Sequence, residues 1–91
     1  MARKRTRLEV IKDILEVIKA KNGKIKPTHI LYKSNLSYQM MEDYLKELID
    51  KDLIKEQKAK QGRTYVLTDK GFSFLAEYNK IQAFTNSFGF E

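Results

Sequence analysis

From Leu8 to Ile18 the apolar residues return at every third or fourth position. Leu8, Ile11, Ile14, Leu15 and Ile18 share one face, as an amphipathic helix requires. Thr6 followed by Glu9 is a capping-box pattern ahead of that run, and Asn22-Gly23 supplies the backbone freedom that closes it. Lys24-Ile25-Lys26 is long enough only for a short extended piece. Pro27 then suits the first position of a second, short helix carrying Ile30, Leu31 and Tyr32, because its missing N–H needs no partner there. That helix ends near Ser34-Asn35. Asn35 tolerates the left-handed conformation that a tight turn demands, Leu36 plugs inward, and Ser37 caps a third helix.

Along the third helix, Met41, Tyr44, Leu45, Leu48 and Ile49 fall on one side and Gln39, Asp43, Lys46 and Asp50 on the other. Leu53 and Ile54 open a strand. The stretch KEQKAKQGRTYVLT then reads as two strands, with KAKQGR as the turn, Gly62 as its permissive residue and Thr64-Tyr65-Val66-Leu67 as the return. Thr68 caps a last helix with two apolar stripes. Phe72, Leu75 and Ala76 form the stripe expected to dock on the core, and Phe74, Tyr78 and Ile81 form the second. Three helices, a basic hairpin and another helix is the order of a winged helix-turn-helix, an α+β, mainly α fold, here with a C-terminal dimerisation helix.

Composition narrows this to one small domain: 91 residues, 42% of them hydrophobic, with no repeat, low-complexity tract or linker-like stretch. The chain divides into a flexible basic arm (1–6), the winged helix-turn-helix domain (7–70) and a C-terminal helix and tail serving dimerisation (71–91). The net charge of +6 is unevenly placed. Arg3, Lys4, Arg5 and Arg7 give +4, and Lys55, Lys58, Lys60 and Arg63 against Glu56 give +3. Residues 42–52 carry −3. Clustered cations on a small domain favour a polyanionic partner, most often nucleic acid, although any single run can also be a solvated surface.

In a helix-turn-helix the second helix of the motif enters the major groove with its N-terminal residues at base edges. Ser37, Tyr38 and Gln39 occupy that head. Gln pairs bidentately with adenine, Ser donates or accepts, and a tyrosine hydroxyl reaches phosphate. Tyr38 reads equally as a half-exposed packing residue, and Met41 and Tyr44 as core. Glu42 and Asp43 repel phosphate unless Lys46 neutralises them or one accepts from cytosine. Lys58, Lys60 and Arg63 of the hairpin suit the backbone or a narrow minor groove. Arg3, Lys4 and Arg5 suit an arm along a groove, with a frayed terminus as the bland reading. Lys33, with Lys24 and Lys26, flanks the second helix and can hold phosphates.

RLEVI (7–11), ILYKSNLSY (30–38), YLKELIDKDLI (44–54) and YVLTDKGFSFL (65–75) together resemble the small archaeal winged-helix proteins that comprise predicted transcriptional regulators and ten-kilodalton chromatin proteins. NLSY and LTDKG carry most of the resemblance, which runs from Arg7 to about Tyr78. It implies a DNA-binding winged helix that dimerises through its last helix. NKIQAFTNSFGFE departs from that family's long coiled coil, since it lacks sustained heptads and breaks between Asn86 and Gly89.

Other chemistry is poorly supported. There is no Cys, and the single His29 has neither companion ligands nor a nucleophile motif, so it reads as a surface residue and no metal, cofactor or enzyme activity is expected. GKIKPT lacks the spacing of a phosphate loop. The amphipathic segment after MARKRTR is unlike a signal peptide, no apolar run is long enough to span a membrane, and the expected location is cytoplasmic, with the nucleoid. The leading expectation is therefore a double-stranded DNA-binding protein, regulatory or chromatin-associated. The alternatives are a winged-helix protein-interaction module without direct DNA binding, and a binder of single strands or RNA. Phe74, Tyr78 and Ile81, helped by Phe84 and Phe88, are the candidate homodimer surface, unless the tail folds back over the first helix.

Overall fold

The computed structural model describes residues 5–21, 23–60 and 62–89. Its elements run α1 (Arg7–Lys21), α2 (Pro27–Ser34), α3 (Tyr38–Asp50), β1 (Ile54–Ala59), β2 (Gly62–Leu67) and α4 (Asp69–Ser87), which is the predicted winged helix-turn-helix order. Local chemistry makes the helix boundaries. Thr6 N–H donates to Glu9 Oε1 at 2.9 Å and Glu9 N–H to Thr6 Oγ1 at 3.1 Å, closing the capping box. Ser37 Oγ accepts from the Met40 N–H at 3.2 Å, and Thr68 Oγ1 from the Gly71 N–H at 3.0 Å. Each such cap stabilises its helix by about 1 kcal/mol. Asn35 stands in the left-handed region at φ 55°. Its N–H and that of Leu36 return to the carbonyls of Tyr32 and Leu31, so the turn between α2 and α3 uses up backbone groups that would otherwise be orphaned.

Packing follows from these short connections. Ile14, Leu15 and Ile18 of α1, Ile30 of α2, and Met41, Leu45 and Leu48 of α3 are all buried around one core. Leu36 plugs it from the turn, and Ile54, Tyr65 and Leu67 close it from the hairpin. β1 and β2 pair antiparallel, with Ile54 opposite Leu67 and Ala59 opposite Gly62. Tyr65 N–H also donates to the Ile25 carbonyl at 3.2 Å, so the extended piece before α2 becomes a bridge on the free edge of β2.

Three expectations are corrected. Leu8 lies on the right face of α1 but is 55% exposed, because the core ends one turn further along; Val10 is buried instead. The expected six-residue turn is shorter, because pairing runs to Ala59 and Gly62, and Gly62 takes φ +124°, which a side chain would strain. The stripes of α4 are also rotated. A Cβ on Gly71 would lie 2.2 Å from the Leu53 carbonyl oxygen, so this glycine must face that loop, and its approach sets the roll of the helix. Leu75 is then buried one turn later and Phe74 leans on the core, while Phe72 and Ala76 turn outward.

Candidate nucleic-acid interface

The head of α3 projects as its cap dictates. Ser37 engages its oxygen with the Met40 N–H, leaving Tyr38, Gln39 and Met40 exposed while Met41 enters the core. Gln39 Nε2 donates to Asp43 Oδ1 at 3.0 Å, one turn along. The Glu42 carboxylate one turn along, as an acceptor and as a charge, raises the Tyr38 phenol above its ordinary value. Arg63, on β2, sends Nη2 to Glu42 Oε1 at 3.3 Å and lies 3.8 Å from Glu56 Oε1. The charge of Tyr65, then the bond from Glu42, raise the Arg63 guanidinium further above its already high ordinary value. Burial raises the Tyr65 phenol beneath it. Glu42, Asp43, Lys46, Asp50, Glu56 and Arg63 thus line an open groove between α3 and the wing.

The lysines behave differently. Lys33 on α2, Lys46 on α3, and Lys58 and Lys60 on the wing are exposed, and among the described residues none of the four pairs with a carboxylate. Lys46 therefore does not neutralise Glu42 and Asp43, as expected from spacing alone; Arg63 and Gln39 take those acids. His29 is exposed on α2.

Arg3 and Lys4 lie outside the described residues. Arg5 does not trail away as an arm residue would. Its guanidinium donates to Asp13 at 2.7 Å and to the Ser34 carbonyl at 2.5 Å, which places a cation on the carbonyl end of α2, where orphan acceptors and the helix dipole favour one. Arg7 pairs with Glu47 of α3 and sits 5.8 Å over the Tyr44 ring. These ties are absent from any local pattern, because Arg5 and Ser34, Arg7 and Glu47, and Glu42 and Arg63 are far apart in sequence.

The last helix carries the candidate dimer residues in two groups. Phe74 and Tyr78 are half-buried, with their rings stacked at 6.3 Å, and Phe74 packs on the core. Ile81, Phe84 and Phe88 are each 65% exposed, with the two phenylalanine rings 5.0 Å apart. Among the described residues of α4, only Gly71 and Leu75 are buried, so the distal turns stand clear of the core. Tyr78, Asn79 and Gln82 face Glu9, Lys12 and Asp13 of α1 across a shallow groove.

A hairpin wing joined to the helix of a capped helix-turn-helix motif defines a winged helix-turn-helix protein. A family model of that description matches residues 4–86, and the chain belongs to this family. It is 31% identical over 78 residues to a protein of Methanocaldococcus jannaschii, an alignment covering 86% of this chain and 34% of that protein, so it spans about a third of the relative's length. Its fold is similar to that of Sso10a-2, a DNA-binding protein from Sulfolobus solfataricus, with a TM-score of 0.71 and 23% identity over 91% of this chain and 87% of that one. It is also similar to F93 from STIV, a winged-helix DNA-binding protein, with a TM-score of 0.72 and 20% identity over 86% and 90%.

Proposed function

We propose that this protein binds double-stranded DNA, as a transcriptional regulator or a chromatin-associated component in the cytoplasm with the nucleoid, and that its role is binding rather than catalysis. One observation carries the reading: the contact of Arg63 with Glu42 sets the base of a lysine-bearing wing directly beside the exposed polar head of α3. Ser37, Tyr38 and Gln39 then meet base edges and backbone in the major groove, while Lys58, Lys60 and Arg63 meet phosphate or the neighbouring minor groove. Lys33 and Lys46 add phosphate contacts, and Arg3 and Lys4 extend the basic surface. That two structural neighbours are DNA-binding proteins supports the reading. No described helix is long and apolar enough to cross a membrane.

The test is a titration of fluorescent duplex DNA at several salt concentrations, against single strands and RNA of the same length. Duplex binding that weakens steeply with salt is expected. The acids facing outward on α3 favour a protein partner instead, and failure to bind any duplex at low salt would leave that as the surviving reading.

The assembly is read as a homodimer. Ile81, Phe84 and Phe88 form an apolar stripe that the chain's own core does not cover, and a two-fold pairing of α4 would bury it with Tyr78 at its edge. Such a pair presents two α3 helices to one duplex. Ile81→Glu with Phe84→Glu should give a folded monomer that binds DNA more weakly through lost bivalency. A monomeric unmodified protein in sedimentation equilibrium at micromolar concentration refutes the dimer.

A further inference from the structure

Arg63, the arginine of the wing, is already occupied. Arg63 has two carboxylate partners, and they are not equivalent. Glu56 stands on β1 opposite Tyr65, so it travels with the wing and lowers the local charge without tying the wing to anything. Glu42 stands on the first turns of α3, 21 residues away in sequence, and its bond at 3.3 Å joins the wing to the helix head. A phosphate approaching this corner meets a guanidinium whose fork is in use and a carboxylate that repels it.

We propose that Glu42 is an internal competitor of DNA: in the free protein it holds Arg63, and the wing arginine reaches a phosphate only by leaving Glu42. The inference rests on the DNA-binding reading above and makes Glu42 an affinity-setting residue that need not touch DNA. Arg63 exchanges one anion for another, so its net gain on binding is small, and each exchange strands a carboxylate beside the backbone. Among the described residues Lys58 and Lys60 have no such partner, and they give their full phosphate contribution.

The experiment is a four-protein cycle on the full chain, comparing the unmodified protein, Glu42→Gln, Arg63→Gln and the double variant, with duplex affinity measured across salt. Glu42 and Arg63 are both surface side chains, so all four proteins should fold, and thermal unfolding checks this. Glu42→Gln should tighten binding to every duplex by roughly threefold to tenfold and steepen the log K against log salt slope by up to about one, because a freed arginine now adds a net phosphate contact. In the Arg63→Gln background the same change should gain little. An equal gain in both backgrounds means that Glu42 acts by plain repulsion and overturns the proposal, as does the absence of any gain. If none of the four binds duplex at low salt, the DNA-binding reading falls and takes this inference with it; binding by the unmodified protein without the dependence on Arg63 overturns the inference alone.

Discussion

The N-terminal segment and the wing look like two versions of one thing, each a short basic run, yet the structure divides them by residue type rather than by place. Arg5, Arg7 and Arg63 are all bound to the body of the protein, on Asp13 and the Ser34 carbonyl, on Glu47, and on Glu42. Among the described residues, Lys33, Lys46, Lys58 and Lys60 pair with no carboxylate. The lysine–carboxylate pairs seen elsewhere are looser, at 3.8–4.0 Å for Lys80–Glu77, Lys51–Glu47 and Lys12–Asp13, although Lys70 Nζ donates to the Lys51 carbonyl at 2.8 Å. A planar guanidinium with five donors satisfies carboxylates and carbonyls in fixed geometry, whereas an ammonium on a flexible stem keeps its water. A basic run is therefore not one resource: Arg5, Arg7 and Arg63 are tied to the body of the protein, and among the described residues Lys58 and Lys60 have no carboxylate partner.

The strongest way to break that division is to remove the free lysines. Lys58→Ala with Lys60→Ala should lower the magnitude of the log K against log salt slope by about two, with an affinity loss on the order of tenfold to a hundredfold at low salt, equal on all duplexes. Urea unfolding of the same variant should stay within about 0.5 kcal/mol of the parent. A destabilised double variant with an unchanged slope would reverse the roles assigned to the two cations.

Arg5→Ala should do the opposite. Losing charge-assisted bonds to Asp13 and to the end of α2, in a site about a third exposed, should cost about 1–2 kcal/mol in urea unfolding while the salt slope holds. A slope reduced by one with full stability would return Arg5 to the DNA-contacting arm. Arg7→Ala removes a more exposed pair and a stacking contact on Tyr44, and about 0.5 kcal/mol is the expected loss, read in the same denaturation.

Alkaline pH sharpens the comparison from another side, with no effect near neutrality. Tyr65 sets the fold's own limit. Burial raises its phenol, so the stability it contributes is fully present below the unfolded value near 10 and is lost as pH rises through the higher folded value. Tyr65→Phe should match the parent's pH dependence below that window and resist further alkalinity better; identical alkaline unfolding curves would remove Tyr65 as the cause.

The residues that were legible in the sequence act over one turn of chain. Thr6 with Glu9, Ser37 and Thr68 announce helix starts, Asn35 announces a left-handed turn, and Ile14, Leu15 and Ile18 mark an inward face; each depends on neighbours three or four residues away, and each stands as expected. The head of α3 was legible for the same reason, because Ser37 leaves Tyr38 and Gln39 no choice but the exposed first turn. Tertiary structure alone decided which group each described arginine meets. Arg5 meets Ser34, Arg7 meets Glu47 and Arg63 meets Glu42 only after three helices and the wing have packed. It also decided which stripe of α4 faces inward, because Gly71 must sit against the Leu53 carbonyl and a helix docked at one point has one roll left to it. Periodicity gives a helix its faces but no reference direction, and a side chain's charge but no partner; packing supplies both.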